Sequence, residues 1–541
     1  MLSNFKWTTP FIFMLSLMLA PNLVIAQNFE AIINVKSHGA SGSGETLDTE
    51  AIQKAIDACH AQGGGTVYFP NGTYLSGTLV LKSNVTLHLE AGATLLGSAN
   101  LADYKPYALR PDWEAQLLGM SNQDTGNLHL IYAQRASHIG ITGKGRIDGN
   151  GRAFWDENFL PRPRPAQMIE FEACEDVVIE NVTLQNSPFW ALHVLSSNRV
   201  RIDGIKILNY RKGPNTDGID VNSSSNVQIT NAFIDTGDDA ICFKSHFPNE
   251  PVQNVTVSNC ILISDDSAIK FGTRSHGDMK FITIANCIIR NSTYGIAFFM
   301  KDGGHYNNIR ISDVVLENAQ WSENQRTVYP IFMDIEKRTP ASALGKISRV
   351  SLRNLTITTG GHCLIAGMRE QPIEDIALEN IRMVVPSCDE VQGKSKPRGV
   401  RNLAAPPPGT DFAGVPAHWT FAHINGLTIK NLQIEVEHES AEQQRHAIWG
   451  AHVQAVTITE FAGRAAGLNG ELATIHLDQS RNVFLNACRA EAGTHVFLHL
   501  TGRDTENVAV MNSDLAAAQN AFVIDRQVRK KTFYQASNRL K

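Results

Sequence analysis

A short phrase that recurs along the chain limits its possible folds more than any other feature. The phrase is Asn, an aliphatic residue, any residue, a second aliphatic residue, any residue, and then Asn or Asp; copies begin at Asn226, Asn254 and Asn308. Each copy predicts a short strand whose apolar side chains alternate inward, closed by a residue that suits a turn.

The spacing of these copies predicts the architecture. The first aliphatic residue of successive copies recurs at intervals of 23, 27, 28, 27 and 27 residues from Val177 to Ile309. One interval holds three short strands and three turns, is too short for a propeller blade, and shows no helical period. We therefore predict an all-β protein, a single-stranded right-handed parallel β-helix. It should occupy residues 101–541, with inserted loops, of which 393–418 is the main one.

Residues 27–100 are predicted to form an N-terminal capping module and the first coils. Within it, Asp48 to His60 has the apolar stripe of a short amphipathic helix, with Asp48 at the N-cap. Gly63-Gly64-Gly65 ends the helix, and a strand follows. A solenoid exposes its core at its ends, so a helix here is expected to cover the first coil.

Residues 1–26 resemble a secretory signal peptide, with Lys6 before an apolar run and Ala26 at the cleavage site; the alternative is an uncleaved anchor. We expect a bacterial protein exported to the periplasm or the medium, a monomer without a membrane partner. The net charge of −5 argues against a nucleic-acid partner. The eight cysteines contain no Cys-x-x-Cys pair, so we expect buried cysteines and neither a metal site nor a cofactor.

Three acids mark the candidate site. Asp217, in Asn215-Thr216-Asp217-Gly218, precedes Asp238 and Asp239 by about one repeat. Residues one coil apart stack at about 4.8 Å, so the three carboxylates should share one patch. Clustered acids on a groove suit acid/base chemistry on a sugar chain, although Asp-Gly also forms ordinary turns. Because Asp238 and Asp239 are neighbours, they must lie at a bulge or turn to point the same way.

These motifs, together with Phe69-Pro70-x-Gly72-Thr73-Tyr74 and Asn186-Ser187-Pro188-Phe189-Trp190, resemble glycoside hydrolase family 28, the polygalacturonase family. The resemblance is clear over about residues 30 to 320. It implies a parallel β-helix that hydrolyses pectic polysaccharide with inversion and without a metal. It further implies that Asp238 is the general acid and that Asp217 and Asp239 hold and deprotonate the attacking water.

The sequence also departs from that family. Ser267 stands where the family has a His in a Gly-His-Gly stretch, and His276 is a nearby substitute. Ala297 stands where the family has the Arg of its Arg-Ile-Lys signature, and Lys301 matches the Lys only if the strand is shifted. Both departures favour an exo-acting enzyme for a mixed pectic chain, either an exo-polygalacturonase or a rhamnogalacturonan galacturonidase. The predicted substrate-binding residues are Asn215, Ser267, Lys270, Lys301 and His193.

Several alternatives stay open from the sequence alone. Lys270, on an otherwise apolar strand, faces the groove or reaches solvent at a corner. His193 contacts sugar or stacks in the core. The protein as a whole is a hydrolase, a lyase acting by β-elimination, or a β-helix that binds polysaccharide without cutting it. The three clustered acids favour hydrolysis, because a lyase normally needs Ca²⁺ or a Lys or Arg base.

Overall fold

The chain folds into a right-handed parallel β-helix. The computed structural model describes residues 31–108, 127–318, 328–386, 412–438, 444–467, 472–529 and 532–541. Within these ranges the strands pair in parallel with the strands one coil before and one coil after. The predicted signal peptide and most of the predicted loop 393–418 lie outside the described residues. The fold class predicted from the repeat is confirmed.

The strands form three sheets that run along the solenoid. The first sheet, which carries the candidate site, contains Leu79–Val80, Ile131–Gln134, Ile169–Glu172, Leu192–Leu195, Ile219–Asn222, Ile241–Ser245, Ser267–Ser275, Tyr294–Met300, Tyr329–Ile335, Cys363–Ala366, Ala473–Asp478, Val496–Thr501 and Asn520–Ile524. The second sheet contains Ala31–Asn34, Gly65–Phe69, Val85–Leu89, Ser137–Gly143, Glu175–Glu180, Asn198–Asp203, Ser225–Thr230, Val252–Ser258, Arg481–Asn486, Glu506–Met511 and Phe533–Ala536. The third contains Ser43–Leu47, Gly72–Ser76, Ala93–Gly97, Arg146–Asp148, Thr183–Gln185, Lys206–Leu208, Phe233–Thr236, Ile261–Ser264, Ala462–Gly463 and Arg489–Ala490.

Six longer strands bend at a corner and continue into the next sheet: Met279–Ser292, His305–Asn318, Lys346–Thr358, Ile373–Val385, Ala417–Val436 and His446–Thr459.

The repeated phrase places its residues at one corner of the solenoid. Asn226 and Asn254 both have a left-handed backbone, with φ of 57° and 56°, a conformation that Asn tolerates better than most residues. Their side chains form a ladder, because the Asn254 amide donates to Asn226 Oδ1 over 3.0 Å. The aliphatic residues that follow point into the core. In the first sheet, likewise, Ile219, Ile241 and Ile269 stack in register and are fully buried.

The N-terminal helix spans Thr49–Ala61, one residue later than predicted, and packs on the first strands. Its inward stripe is buried as predicted. Asp48 does occupy the N-cap position, but its carboxylate makes no cap bond and instead accepts from the backbone amides of Ser41 and Gly42, at 2.7 and 3.0 Å. Asp48 therefore fixes the preceding turn rather than the helix end.

The seven cysteines within the described ranges are all buried and free, in agreement with their prediction as small core residues. No helix in the described part of the chain is long and apolar enough to cross a membrane.

Candidate active site

The three candidate acids lie in turns that lead into the first sheet. Asp217 precedes the strand Ile219–Asn222, and Asp238 and Asp239 lie between Phe233–Thr236 and Ile241–Ser245. Gly237 is required here by close packing, since an added Cβ would lie 2.5 Å from the carbonyl oxygens of Tyr210 and Arg211. The turn lets both neighbouring acids face outward.

Their carboxylates form one cluster. One carboxylate oxygen from each of Asp217, Asp238 and Asp239 lies within 4.8 Å of the other two. Asp217 and Asp239 occupy the same register position in adjacent coils, because Ile219 pairs with Ile241. The three residues are only 3%, 6% and 1% exposed. Because they lie in a shielded site, their charges interact strongly.

Two buried lysines offset this negative charge. Lys270 Nζ donates to Asp239 Oδ2 over 2.6 Å. Lys244 forms an ion pair with Asp220, and its Nζ lies 3.5 Å from Asp217 Oδ2 and 4.3 Å from the centre of the Trp190 ring. Lys270 therefore does face the outer side of the first sheet, where its ammonium contacts an acid of the cluster.

On the N-terminal side of the acids, the outer face of the first sheet is covered. His193 is fully buried, with Nδ1 2.7 Å from Glu170 Oε2 and Nε2 3.1 Å from the Asn222 amide. Tyr107 donates to Glu170 Oε1 over 2.7 Å, and its ring stacks on Tyr132 with centres 3.8 Å apart. His193 therefore supports its neighbours in this structure, and its predicted substrate contact stays a prediction.

On the C-terminal side, the outer face is apolar and buried. Ala297 pairs with Lys270 on one side and with Phe332 on the other. The strand pairs with Tyr329–Ile335 in regular register. If Ala297 stands at the Arg of the Arg-Ile-Lys signature, Phe299 stands at its Lys. A separate apolar cluster covers this region, consisting of Tyr294, Ala297, Phe299, Tyr329, Phe332, Leu364, Ala366 and Ala422, with Phe412 packed against it.

Lys301 follows the end of that strand. It forms an ion pair with Glu336, and its Nζ lies 5.9 Å from the centre of the Phe299 ring. The pairing of this strand with Tyr329–Ile335 shows no shift in register. A substrate contact by Lys301 stays a prediction.

The remaining candidates have structural partners. Asn215 Oδ1 accepts from Arg164 over 3.2 Å, and Arg164 also donates to the carbonyls of Pro188 and Pro214. Arg164 is 1% exposed, so its guanidinium holds these buried loops together. Ser267 is fully buried, occupies the register position after Asp239, and donates to Asp266 Oδ1 over 3.1 Å. His276 follows the end of the strand Ser267–Ser275 and lies among the charges of Asp302, Arg274 and Arg338.

Comparison with known proteins identifies the family of the chain. Residues 59–398 match the model of glycosyl hydrolases family 28. The chain belongs to this family. Its acid cluster and the first-sheet turns that hold it lie inside the matched range.

The family 28 relatives cover only part of the chain. This chain is 32% identical over 257 residues to a Vitis vinifera protein named "Probable polygalacturonase". The match covers 44% of this chain and 52% of the relative. The chain is 30% identical over 293 residues to the exo-poly-alpha-D-galacturonosidase of Dickeya chrysanthemi, covering 45% and 48%. The chain thus spans about half the length of the curated relatives it matches.

Solved structures of the family share the fold. An exopolygalacturonase from Thermotoga maritima superposes with a TM-score of 0.56 at 24% identity, covering 66% of this chain and 87% of that one. The family 28 exopolygalacturonase of Yersinia enterocolitica gives 0.55 at 21% identity, covering 78% of each chain.

The electrostatics of the family 28 acids follow from burial. Burial raises the pKa of Asp217 well above its usual range, and Asp238 and Asp220 raise it further, while Lys244 opposes them. Burial also raises the pKa of Asp239, which Lys270 lowers and Asp238 raises, to about 6. The cluster therefore holds a proton more readily than isolated carboxylates do.

Replacing Asp217 by Asn is expected to stabilise the protein at neutral pH. A carboxyl whose folded pKa exceeds its unfolded value contributes stability at low pH that is lost as pH rises through the folded pKa. The neutral amide escapes this loss, so the free energy of unfolding at pH 7.5 should rise above that of the wild type. The gain should disappear near pH 4.

Calorimetric Tm values at both pH values check this, with Asp278→Asn on the surface as the control. A lower Tm for Asp217→Asn at pH 7.5 would show that the Asp217 charge is stabilising and would contradict the description of the cluster.

Sequence reasoning missed three charged residues of this region: Asp220, Glu170 and Glu336. A signal existed for Asp220, because it lies between the inward residues Ile219 and Val221 and must therefore point outward beside Asp217. Glu170 and Glu336 lie in coils without a recognised motif, and only the strand register relates them to His193 and Lys301.

Proposed function

We propose that the protein is an exported glycoside hydrolase that cleaves galacturonic-acid-containing pectic polysaccharide from a chain end. The observation that carries the proposal is the cluster of three buried carboxylates, held by turns of the first sheet within the family 28 match. Membership in a family of glycosyl hydrolases and the names of its relatives support the same reaction class.

The resemblance to family 28 suggests how the three acids divide the roles. Asp217 and Asp239 stack in register and hold the attacking water between them, while Asp238, at the turn, protonates the glycosidic oxygen. Lys270 lowers the pKa of Asp239 and so favours the ionised form that accepts the proton of the water, and Lys244 opposes the rise in the pKa of Asp217 and Asp220. The products are a shortened chain and a free sugar, and the water supplies the new hydroxyl group.

The surroundings of the acids support attack at a chain end. An endo-acting enzyme needs a groove that is open on both sides of the reacting bond. Here the Tyr107 side chain covers Glu170 on one side, and the apolar cluster around Phe299 is buried on the other. The site is therefore short along the solenoid axis and suits a terminal sugar.

The residues beyond Lys270 support a neutral sugar next to the cleaved bond. Ala297 and Phe299 offer no cation to a carboxylate. A galacturonate at this position would lack the bidentate contact of the family's Arg, about 1.5–3 kcal/mol, whereas rhamnose loses nothing. The cations beside Phe299 are the ammonium groups of Lys270 and Lys301, 5.7 and 5.9 Å from its ring centre. We therefore favour a rhamnogalacturonan-type oligosaccharide over polygalacturonate.

Product analysis on polygalacturonate and on rhamnogalacturonan fragments, with EDTA present, tests the proposal. We expect new reducing ends without ultraviolet absorbance of an unsaturated product, steady release of single sugars, and faster turnover of the mixed chain. An unsaturated product would indicate a lyase, and tight binding without any product would indicate a non-catalytic binder. Early mid-length oligomers with a rapid fall in viscosity would contradict the exo-acting assignment.

A further inference from the structure

A groove on the second sheet, away from the acid cluster, is lined by an exposed aromatic residue and two arginines, Phe281, Arg310 and Arg349. It has a volume of about 500 Å³ and crosses four coils, from Phe281 to Asp375. Four coils cover roughly 14 Å along the solenoid axis at the spacing of neighbouring strands. Its outer wall carries Arg310 and Arg349.

Phe281 occupies a position that suits Asn. It belongs to the corner column that contains Asn226, Asn254 and Asn308, since Lys280 and Ile282 pair with Asn307 and Ile309 in the next coil. Phe281 shares the left-handed backbone of that column, with φ of 56°, a conformation unfavourable for a bulky side chain. It also interrupts the Asn ladder, because a phenyl ring has no amide to donate.

The Phe281 ring gains little from packing that would offset this. Its side chain is 54% exposed, whereas an apolar ring that served the fold would be buried. The same corner column also holds Arg199 and Arg349, with φ of 55° and 52°, so the backbone alone does not single out Phe281. The interrupted ladder and the exposed ring indicate that the residue serves a ligand.

The charges beside the ring define that ligand. Arg310 is exposed, and within the described residues it makes no hydrogen bond or ion pair. Arg349 donates to two uncharged acceptors, Asn308 Oδ1 over 3.1 Å and Asn307 Oδ1 over 3.3 Å. The carboxylate in the groove wall is Asp375, which occupies the register position of Arg349 in the next coil, so Arg310 is the guanidinium further from it. Two guanidinium groups near an aromatic ring fit carboxylates carried on a chain of sugar rings.

We propose that this groove is a second binding site for an acidic polysaccharide, distinct from the acid cluster. A sugar ring packs on Phe281, and uronate groups bind Arg310 and Arg349. The choice of a uronan rests on the proposed function, but the site itself is defined by its own residues. Such a site would hold the polymer on the enzyme while the first sheet cleaves chain ends.

The test is affinity electrophoresis of the full chain in gels containing polygalacturonate, with neutral dextran as the comparison polymer. Asp238→Asn serves as the background so that the polymer is not cut. Adding Phe281→Asn or Arg310→Gln should raise the Kd for polygalacturonate about five- to tenfold, the loss expected for one such contact. Phe484→Thr, an exposed aromatic residue of the same sheet outside the groove, is the matched control and should change nothing.

Folding is checked on the same variants by Tm, which should stay equal or rise for Phe281→Asn because Asn suits the left-handed backbone. Unchanged polygalacturonate binding in both variants would overturn the proposal. A lower Tm for Phe281→Asn together with unchanged binding for Arg310→Gln would also overturn it, because the Phe281 ring would then stabilise the folded chain and not a bound ligand. The readout is binding, so absence of hydrolysis by the wild-type chain would refute the proposed function and leave this result standing.

Discussion

Replacing Asp238 by Asn is expected to lower kcat on the true substrate by about 10²–10⁴-fold, the usual contribution of a general acid. The amide has the same shape but gives up no proton to the leaving oxygen. Folding should persist, because the change removes one of three mutually repelling carboxylates from a buried cluster. Initial rates at saturating substrate, together with circular dichroism and Tm, measure both effects.

Asp235→Asn is the matched control for this substitution. Asp235 lies three residues earlier, on the third sheet, and pairs with Arg211 at the partly exposed surface. We expect that variant to keep its activity. If Asp238→Asn kept more than about a tenth of the wild-type rate, a general-acid role would be excluded, since such groups supply at least about 10²-fold.

Replacing Lys270 by Met is expected to change both activity and stability, because it leaves Asp239 without its cation. The pKa of Asp239, about 6 in the wild type, should then rise. The acid limb of the kcat/KM profile should shift to higher pH, since Asp239 must be ionised to accept a proton. Breaking a buried ion pair costs about 3–5 kcal/mol, a loss that should appear as pH rises and Asp239 ionises.

A double substitution separates these effects. Lys270→Met with Asp239→Asn removes both charges, so stability at high pH should return while activity stays low. Lys270→Arg keeps the cation and should keep the wild-type acid limb. If Lys270→Met had the wild-type pH profile and the wild-type Tm at pH 8, Lys270 would not control the ionisation of Asp239.

The fold was predictable because each copy of the phrase puts the same residue types at the same positions of a coil. The aliphatic residues of each phrase face the core, and its first Asn takes the left-handed corner, so spacing alone predicts the solenoid. At the N-terminal helix the N-cap position of Asp48 was predicted correctly, but its carboxylate binds the turn at Ser41 and Gly42 and not the helix end. Sequence could not weigh these two partners.

The acid cluster was predictable because Asp217 lies one coil before Asp238 and Asp239, and all three belong to recognisable motifs. The side chains that surround the acids were harder to predict. The ion pair between Lys270 and Asp239 depends on register across coils, and the covering of Glu170 by Tyr107 depends on a segment 63 residues away in the chain. The ion pair between Lys301 and Glu336 likewise depends on register across coils, and the substrate contact of Lys301 stays a prediction.

The anomeric configuration of the first product tests the central claim most directly. If Asp217 and Asp239 hold the attacking water opposite a leaving oxygen that Asp238 protonates, cleavage of an α-linked galacturonide must invert the anomeric centre. Proton NMR of the reaction at early times should therefore show the β anomer first, with the α anomer appearing later by mutarotation. The closest carboxylate oxygens lie within 4.8 Å, nearer the spacing of retaining enzymes, so the measurement is a stringent one. Initial release of the α anomer would contradict the proposed roles of the three acids.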